Sequence, residues 1–231
     1  MQAMHLSSIL CAFSVSHEPA FNVPKQQLSR RISKEPRWRS TGCFTRSELP
    51  ADTRRWLLDD GSLTLRLIEL NLGEFKVQRL YQGWQRPRLS ECMLLRAPPG
   101  QRALVREVGL MLADKTVVFA RSVFPIASLT GDLAHLRYLQ NKSLGAILFK
   151  HPGMRRSPFE LARIDGDNHY LPAAVQQGSA AWGRRSRFVI GGHSLMVSEV
   201  FLENFTPWDT DLPIHRAQRG KVSTAIVLPS Q

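Results

Sequence analysis

The alternation of apolar and polar residues predicts two β-hairpins, one in the middle of the chain and one towards its end. The first is LVREVGLMLADKTVVFARSVFP, residues 104–125, whose apolar runs are typical of buried strands and whose turn is expected at Asp114–Lys115. The second is WGRRSRFVIGGHSLMVSEVFL, residues 182–202, with a turn at Gly191–Gly192. The segments FKVQRLYQGW and FELARID predict two further strands.

Other segments have helical periodicity. ELPADTRRWLLDDGSLTLRLIEL predicts two short helices, because Gly61 ends the first and Ser62 is a suitable N-cap for the second. The leucines of SLTGDLAHLRYLQ recur at helical spacing, and KSLGAILF predicts a short apolar helix. Together these elements predict an α+β fold, with a single domain in which an antiparallel β-sheet carries helices on one face.

The two ends of the chain differ from its middle. Residues 1–36 contain a weak apolar run and then the basic, aperiodic stretch SRRISKEPRWRS. We expect either a disordered basic arm or a non-native upstream start, because a secretory signal would need a basic residue before the apolar run. The folded domain is predicted over residues 37–205. Residues 206–231 lack sustained periodicity and predict a loosely held C-terminal tail.

Charge and cysteine content narrow the possible partners and the compartment. The net charge of +12 favours an anionic partner, which could be nucleic acid, a membrane surface or a small acidic ligand. No apolar run reaches the roughly 18–20 residues of a membrane span, so we expect no stable membrane insertion. The three cysteines form no CxxC pair, which favours a reducing compartment and hence the cytoplasm.

Two arginines interrupt the apolar runs of the first hairpin. With a turn at Asp114–Lys115, Val108 lies opposite Arg121, and Arg106 becomes the diagonal neighbour of Arg121 on the same apolar face. Glu199 in the second hairpin also points inward by alternation. A single carboxylate facing two buried cations leaves a positive surplus, which a bound dianion would neutralise. The alternative is structural, because a strand arginine often packs its stem and leaves its head in water.

Six motifs follow one another along the chain: LVREVGL, FARSVFP, SLTG, KSLGAILF, WGRRSRF and SEVFLENF. On these motifs, and on their order, the chain resembles the bacterial chorismate–pyruvate lyases, which make 4-hydroxybenzoate for ubiquinone. The resemblance implies an antiparallel sheet with helices that enclose a ligand cavity. It also implies elimination of pyruvate from chorismate to give 4-hydroxybenzoate, with no metal or organic cofactor. We further expect a cytoplasmic monomer that binds no nucleic acid.

The resemblance also implies a set of site residues. Arg106 would bind the ligand carboxylate, Arg121 would stabilise charge on the departing enolpyruvyl group, and Glu199 would contact the ring hydroxyl or act as a base. Leu63 and Leu144 would supply apolar or backbone contacts to the ligand. Leu63 stands where a better-known member has methionine, a swap that conserves volume. Residues 166–179 are an apparent insertion.

Two other functions have sequence signals of their own. A non-catalytic sensor domain of the same fold would bind a small acid, but such domains usually follow a DNA-binding domain. The first 36 residues are too short and irregular to form one. WGRRSR has the composition of a nucleic-acid patch, although a solvated strand start explains it more simply. Four histidines, at positions 135, 151, 169 and 193, lack metal-ligand spacing.

Overall fold

Eight strands form one antiparallel sheet in the computed structural model, which describes residues 35–212. The strands are β1 (Arg39–Ser40), β2 (Phe75–Gln85), β3 (Ala103–Leu112), β4 (Lys115–Pro125), β5 (Arg155–Arg156), β6 (Glu160–Ile164), β7 (Ala181–Ile190) and β8 (His193–Phe201). Their order across the sheet is β1-β6-β7-β8-β4-β3-β2, and β5 pairs with β7 beside β6. The α+β fold and the antiparallel sheet are therefore confirmed. Predictions for residues 1–34 and 213–231 lie outside the described residues.

Four short α-helices accompany the sheet within residues 35–212. They are α1 (Ala51–Leu58), α2 (Leu63–Glu69), α3 (Leu89–Leu95) and α4 (Leu144–Leu148). The 3-10 helices are Thr41–Cys43, Ile126–Ser128, Gly131–Tyr138, Ala173–Val175 and Pro207–Asp209. Ser62 caps α2 as predicted, because its hydroxyl accepts a hydrogen bond from the Leu65 amide. Within residues 35–212, no helix is both long enough and apolar enough to cross a bilayer.

Helix α3 was not predicted from the sequence. The Arg88 amide, just before the helix, donates a hydrogen bond to the Glu91 carboxylate, and the Leu89 and Ser90 amides donate to Glu35. These acceptors satisfy amides that have no partner within the helix. Because Glu35 is distant in sequence, local periodicity alone could not indicate this helix.

The first hairpin has a tighter turn than predicted. The turn residues are Ala113 and Asp114, both with positive φ (45° and 63°), and Leu112 pairs with Lys115. Positive φ at both positions is the geometry of a type I′ turn, whose twist matches that of the flanking strands. The predicted centre at Asp114–Lys115 was therefore wrong by one position.

A β-bulge in the same hairpin changes which side chains share a face. Val117 is an extra residue in β4, because Met111 pairs with Thr116 while the preceding Leu110 pairs with Val118. Beyond the bulge, Arg106 pairs with Ser122 and Glu107 pairs with Arg121. The prediction that Arg106 and Arg121 share a face was wrong, since a shift of one residue moves each side chain to the other face.

Both faces of the sheet carry a hydrophobic core. On the face of Arg106, α1 and α2 pack over β3 and β4, and the predicted leucines of residues 129–139 are all buried. On the opposite face, Tyr170, Leu171 and Val175 pack against Phe119 and Val200. These three residues belong to the apparent insertion at 166–179, which therefore lies on the far side of the sheet from Arg106.

The packed structure continues beyond the predicted domain limit at residue 205. Trp208 stacks against Phe205 and Phe201, with ring centroids 4.6 Å and 5.3 Å away. Phe205 in turn contacts Trp56 of α1 at 4.9 Å. Residues 206–212 are thus part of the folded unit, which corrects the predicted start of the loose tail.

Candidate active site

A cavity lies between the sheet and the helices α2 and α4, on the face that carries Arg106. Its floor on the sheet includes Arg106, Val108, Ser122, Arg184, Val197 and Glu199. Its volume, counted as the space open to the centre of a water molecule, is about 50 Å³. On the same measure one bound water needs roughly 10–15 Å³. Apolar walls with a few polar groups are typical of sites for small organic ligands.

Arg106 is a buried cation in this cavity with no carboxylate partner among the described residues. Its side chain donates hydrogen bonds of 2.8 Å to the carbonyl oxygens of Gln140 and Lys142. These carbonyls fix the guanidinium but do not neutralise it. Burial, and secondarily the nearby Arg79 cation, lower the pKa of Arg106 to about 10, so it stays charged at neutral pH. A bound carboxylate would supply the missing negative charge.

Glu199 lines the cavity and is held by Arg184 of β7. The two residues pair directly across β8 and β7, and Arg184 Nε donates a 2.7 Å hydrogen bond to Glu199 Oε2. Arg184 Nη1 donates to the carbonyl oxygens of Trp56 and Asp59 at the end of α1, each at 2.8 Å. A cation stabilises the carbonyls at a helix C-terminus. Glu199 Oε1 accepts no hydrogen bond from the described residues and can accept one from a ligand.

The third arginine of the cavity is Arg156 on β5, a residue that the sequence analysis did not select. It pairs with Phe188, which places its side chain on the face of Arg184 and Ser186. Its guanidinium carbon lies 4.4 Å from the centre of the Phe159 ring. Burial, and then the charge of Arg184, lower the pKa of Arg156 to about 10, against the opposing effects of nearby carboxylates.

Leu63 and Leu144 begin the two helices that cover the cavity, and both line it. Ser62 and Ser143 cap these helices, and the Ser143 hydroxyl also donates a 3.0 Å hydrogen bond to the Thr64 hydroxyl. The two covers are thus linked directly above the sheet. Of the five predicted site residues, the structure brings four together around one cavity: Leu63, Arg106, Leu144 and Glu199.

Arg121, the fifth predicted site residue, lies on the opposite face of the sheet and does not line the cavity. It donates hydrogen bonds to Glu91 of α3 at 2.7 Å and to Glu107 at 2.6 Å. Burial alone would lower the pKa of Arg121, but the hydrogen bonds and charge of Glu91 raise it. Arg121 therefore does not contact the cavity, because of the bulge at Val117, and its catalytic role stays a prediction. Glu107, which lies opposite Arg121 on β3, is thus one of its two carboxylate partners.

The interpretation of WGRRSR as a solvated strand start was also wrong. Trp182, Arg184 and Arg185 are all buried. Arg185 lies on the opposite face from the cavity, where its guanidinium binds Glu160 at 2.7 Å and the Ser90 hydroxyl at 2.9 Å. This stretch therefore offers no exposed arginine cluster of the kind that binds nucleic acid. A register count from the Gly191–Gly192 turn would have placed Arg184 opposite Glu199.

A larger open groove, of about 660 Å³, lies elsewhere on the described part of the chain. Its two arginines, Arg39 and Arg163, are exposed, and Arg39 already faces Glu48. Exposed cations keep their hydration and need no ligand for neutralisation. The smaller cavity, with a buried, unneutralised Arg106 and a half-buried Arg156, is the stronger candidate site.

This chain is similar to curated proteins named probable chorismate pyruvate-lyase. A probable chorismate pyruvate-lyase of Pseudomonas aeruginosa is 44% identical over 154 residues, which are 67% of this chain and 84% of that protein. One from Methylococcus capsulatus is 42% identical over 151 residues, 64% of this chain and 92% of that protein. Among solved structures, the effector domain of PhnF from Mycobacterium smegmatis is 13% identical, with a TM-score of 0.43 over 62% of this chain and 89% of that chain.

The family comparison covers the same region as the sheet and the cavity. The family model described as chorismate lyase matches residues 39–210, from the first strand to just beyond the last 3-10 helix. This match includes all the residues that line the cavity. The chain belongs to the chorismate lyase family.

Proposed function

We propose that this protein eliminates pyruvate from chorismate to give 4-hydroxybenzoate, the first committed step of ubiquinone biosynthesis. One observation carries the proposal: the same apolar cavity is lined by an unneutralised cation, Arg106, and by a fixed carboxylate, Glu199. Chorismate is a dicarboxylate on a cyclohexadiene ring with one hydroxyl. A buried cation suits its carboxylate, apolar walls suit its ring, and Glu199 suits its hydroxyl.

The reaction requires little chemistry from the protein. One proton leaves the ring carbon that bears the hydroxyl, and the bond between the adjacent carbon and the ether oxygen breaks. The electron pair of that bond leaves on the enolpyruvate oxygen, which becomes pyruvate after protonation, while the ring becomes aromatic. Aromatisation drives the step, so orientation and electrostatic stabilisation are the contributions asked of the site.

Each side chain has a defined part in the proposal. Arg106 binds the ring carboxylate, with its guanidinium already oriented by the carbonyls of Gln140 and Lys142. Glu199 accepts a hydrogen bond from the ring hydroxyl through Oε1, because Arg184 occupies Oε2. Leu63 and Leu144 close the cavity from above. The ring is then fixed at both ends, which is the arrangement that elimination needs.

The first test is to incubate the purified protein with chorismate in EDTA, without added cofactor, and to measure 4-hydroxybenzoate and pyruvate by chromatography. We expect equimolar products from the unaltered protein and none from Arg106→Ala. Arg102→Ala, an exposed arginine just before β3, is the matched control and should keep full activity. Products that persist in Arg106→Ala would remove Arg106 from the site.

The outcome also separates the lyase from the sensor domain. Tight binding of 4-hydroxybenzoate without multiple turnover would point to a sensor or to an enzyme trapped by its product. A measurement with protein in excess over chorismate distinguishes the two. A trapped enzyme would still complete one turnover, whereas a sensor would form no product. The proposal includes the expectation of a cytoplasmic monomer. Sedimentation of the purified protein and fractionation of cells would check that expectation.

A further inference from the structure

Arg156 is a cavity arginine whose charge nothing in residues 35–212 neutralises at close range. Its guanidinium carbon lies over three aromatic rings, 4.4 Å from the centre of Phe159, 5.7 Å from Phe149 and 5.9 Å from Phe188. Among the described residues it has no hydrogen bond and no carboxylate at ion-pair distance. Aromatic faces stabilise a cation only in part, so an anion within the cavity would bind strongly here.

The cavity carries more positive than negative charge. Three arginines line it, Arg106, Arg156 and Arg184, against the one carboxylate of Glu199. Arg184 already donates to Glu199, which leaves Arg106 and Arg156 as two separate cations. A ligand with one carboxylate neutralises only one of them. The charge therefore fits a dianion better than a monoanion.

The strand order places the two cations at opposite ends of the cavity. Between β3, which carries Arg106, and β5, which carries Arg156, lie β4, β8 and β7. Four strand spacings correspond to roughly 19 Å of backbone separation, so the two side chains enter from opposite walls. Glu199 lies on β8 between them, and its charge acts on Arg156.

The positions of the charged groups on chorismate match this order. The ring hydroxyl is para to the ring carboxylate, and the enolpyruvyl ether is on the carbon next to the hydroxyl. With the ring carboxylate at Arg106 and the hydroxyl at Glu199, the second carboxylate reaches the far end of the cavity. We propose that Arg156 binds the enolpyruvyl carboxylate of the substrate, an inference that rests on the proposed function.

This assignment gives Arg156 a selective role. The enolpyruvyl carboxylate is present in chorismate and absent from 4-hydroxybenzoate, so Arg156 contacts the substrate but not the aromatic product. It transfers no proton, because an arginine stays protonated throughout the reaction. It holds the departing group while the carbon–oxygen bond breaks and the negative charge moves onto the enolpyruvate oxygen.

The test compares Arg156→Gln with Arg155→Gln, its exposed neighbour on the same short strand. Two quantities are measured for each: kcat/KM for chorismate and the Kd for 4-hydroxybenzoate by calorimetry. We expect Arg156→Gln to lower kcat/KM by roughly 100-fold, because this is the typical effect of removing one partner of a buried charge pair. The Kd for 4-hydroxybenzoate should stay within about twofold of the unaltered protein. Arg155→Gln should change neither quantity, and Arg156→Lys should recover part of the lost kcat/KM.

The outcomes separate this inference from the proposed function. Unchanged kcat/KM in Arg156→Gln, or an equal loss of product binding, would overturn the role of Arg156 and leave the lyase activity standing. If the unaltered protein does not turn over chorismate, the proposed function fails. The Kd for chorismate is then measured for each variant in place of kcat/KM. A roughly 100-fold weaker Kd for chorismate with an unchanged product Kd would still support a dicarboxylate site at Arg156. Equal Kd values for chorismate would refute it. Thermal unfolding of each variant confirms that the comparison is made on folded protein.

Discussion

Glu199 and Arg184 lie directly opposite each other on β8 and β7, and a 2.7 Å hydrogen bond joins Arg184 Nε to Glu199 Oε2. The side chain of Arg184 is 2% exposed and that of Glu199 is 20% exposed. Because Arg184 also binds the end of α1, the carboxylate is fixed to both the sheet and the helix layer. The carboxylate that lines the cavity is thus positioned by a second charged residue that the sequence analysis assigned to solvent.

Arg184→Met should destabilise the protein by about 3–5 kcal/mol, because it leaves Glu199 half-buried without its cation and frees two helix-end carbonyls. The double variant Arg184→Met with Glu199→Met should recover part of that loss, since both charges are then absent. Urea unfolding of the two single variants and the double variant gives the coupling energy. Additive effects would show that the pair contributes nothing beyond its separate members.

Glu199→Gln keeps the size of the side chain and an oxygen acceptor but removes the negative charge. We expect kcat for chorismate to fall at least about tenfold, because hydrogen bonds to charged groups are worth more than neutral ones. A fall beyond roughly 100-fold would favour a role as general base over orientation alone. Steady-state kinetics check this against Glu203→Gln, an exposed residue near the end of β8. Undiminished turnover would exclude Glu199 from the chemistry.

Arg121→Met should reduce stability rather than ligand binding. Arg121 pairs with the fully buried Glu91, so its removal leaves an uncompensated carboxylate at a cost of about 3–5 kcal/mol. The Kd for 4-hydroxybenzoate should remain within a few-fold of the unaltered protein, because Arg121 lies on the opposite face of the sheet from the cavity. Glu107→Gln is the milder companion variant, with Glu91 and Arg121 still paired. A large loss of affinity in a folded Arg121 variant would restore the catalytic role predicted from the sequence.

Deletion of Val117 tests the bulge. Without the extra residue, Met111 still pairs with Thr116 and Leu110 with Val118, so a regular ladder keeps Arg121 opposite Glu107 and away from the cavity. We therefore expect the deletion to keep a cooperative unfolding transition, because no charge has to cross the sheet. Val117→Ala, which keeps the bulge, should cost only about 1–3 kcal/mol. Circular dichroism during urea titration compares the two, and loss of the cooperative transition in the deletion alone would argue against the assigned register.

The pattern of the sequence by itself determined most of the elements. Apolar alternation located both hairpins, and the glycine pair at 191–192 located the second turn, because two-residue turns with positive φ favour glycine. Ser62 marked the start of one covering helix, and the apolar run of KSLGAILF located the other. Together with the family resemblance, these signals identified Leu63, Arg106, Leu144 and Glu199, which share one cavity.

The tertiary structure alone decided which charges face the cavity. The bulge at Val117 adds one residue to β4 and moves Arg121 to the far face, and no local pattern predicts such an insertion. Arg156 comes from a two-residue strand, too short to show periodicity, and it reaches the cavity because β5 pairs with β7. Strand pairing between distant segments fixes the face of each side chain, so the sequence determined the elements while the register of the sheet determined the site.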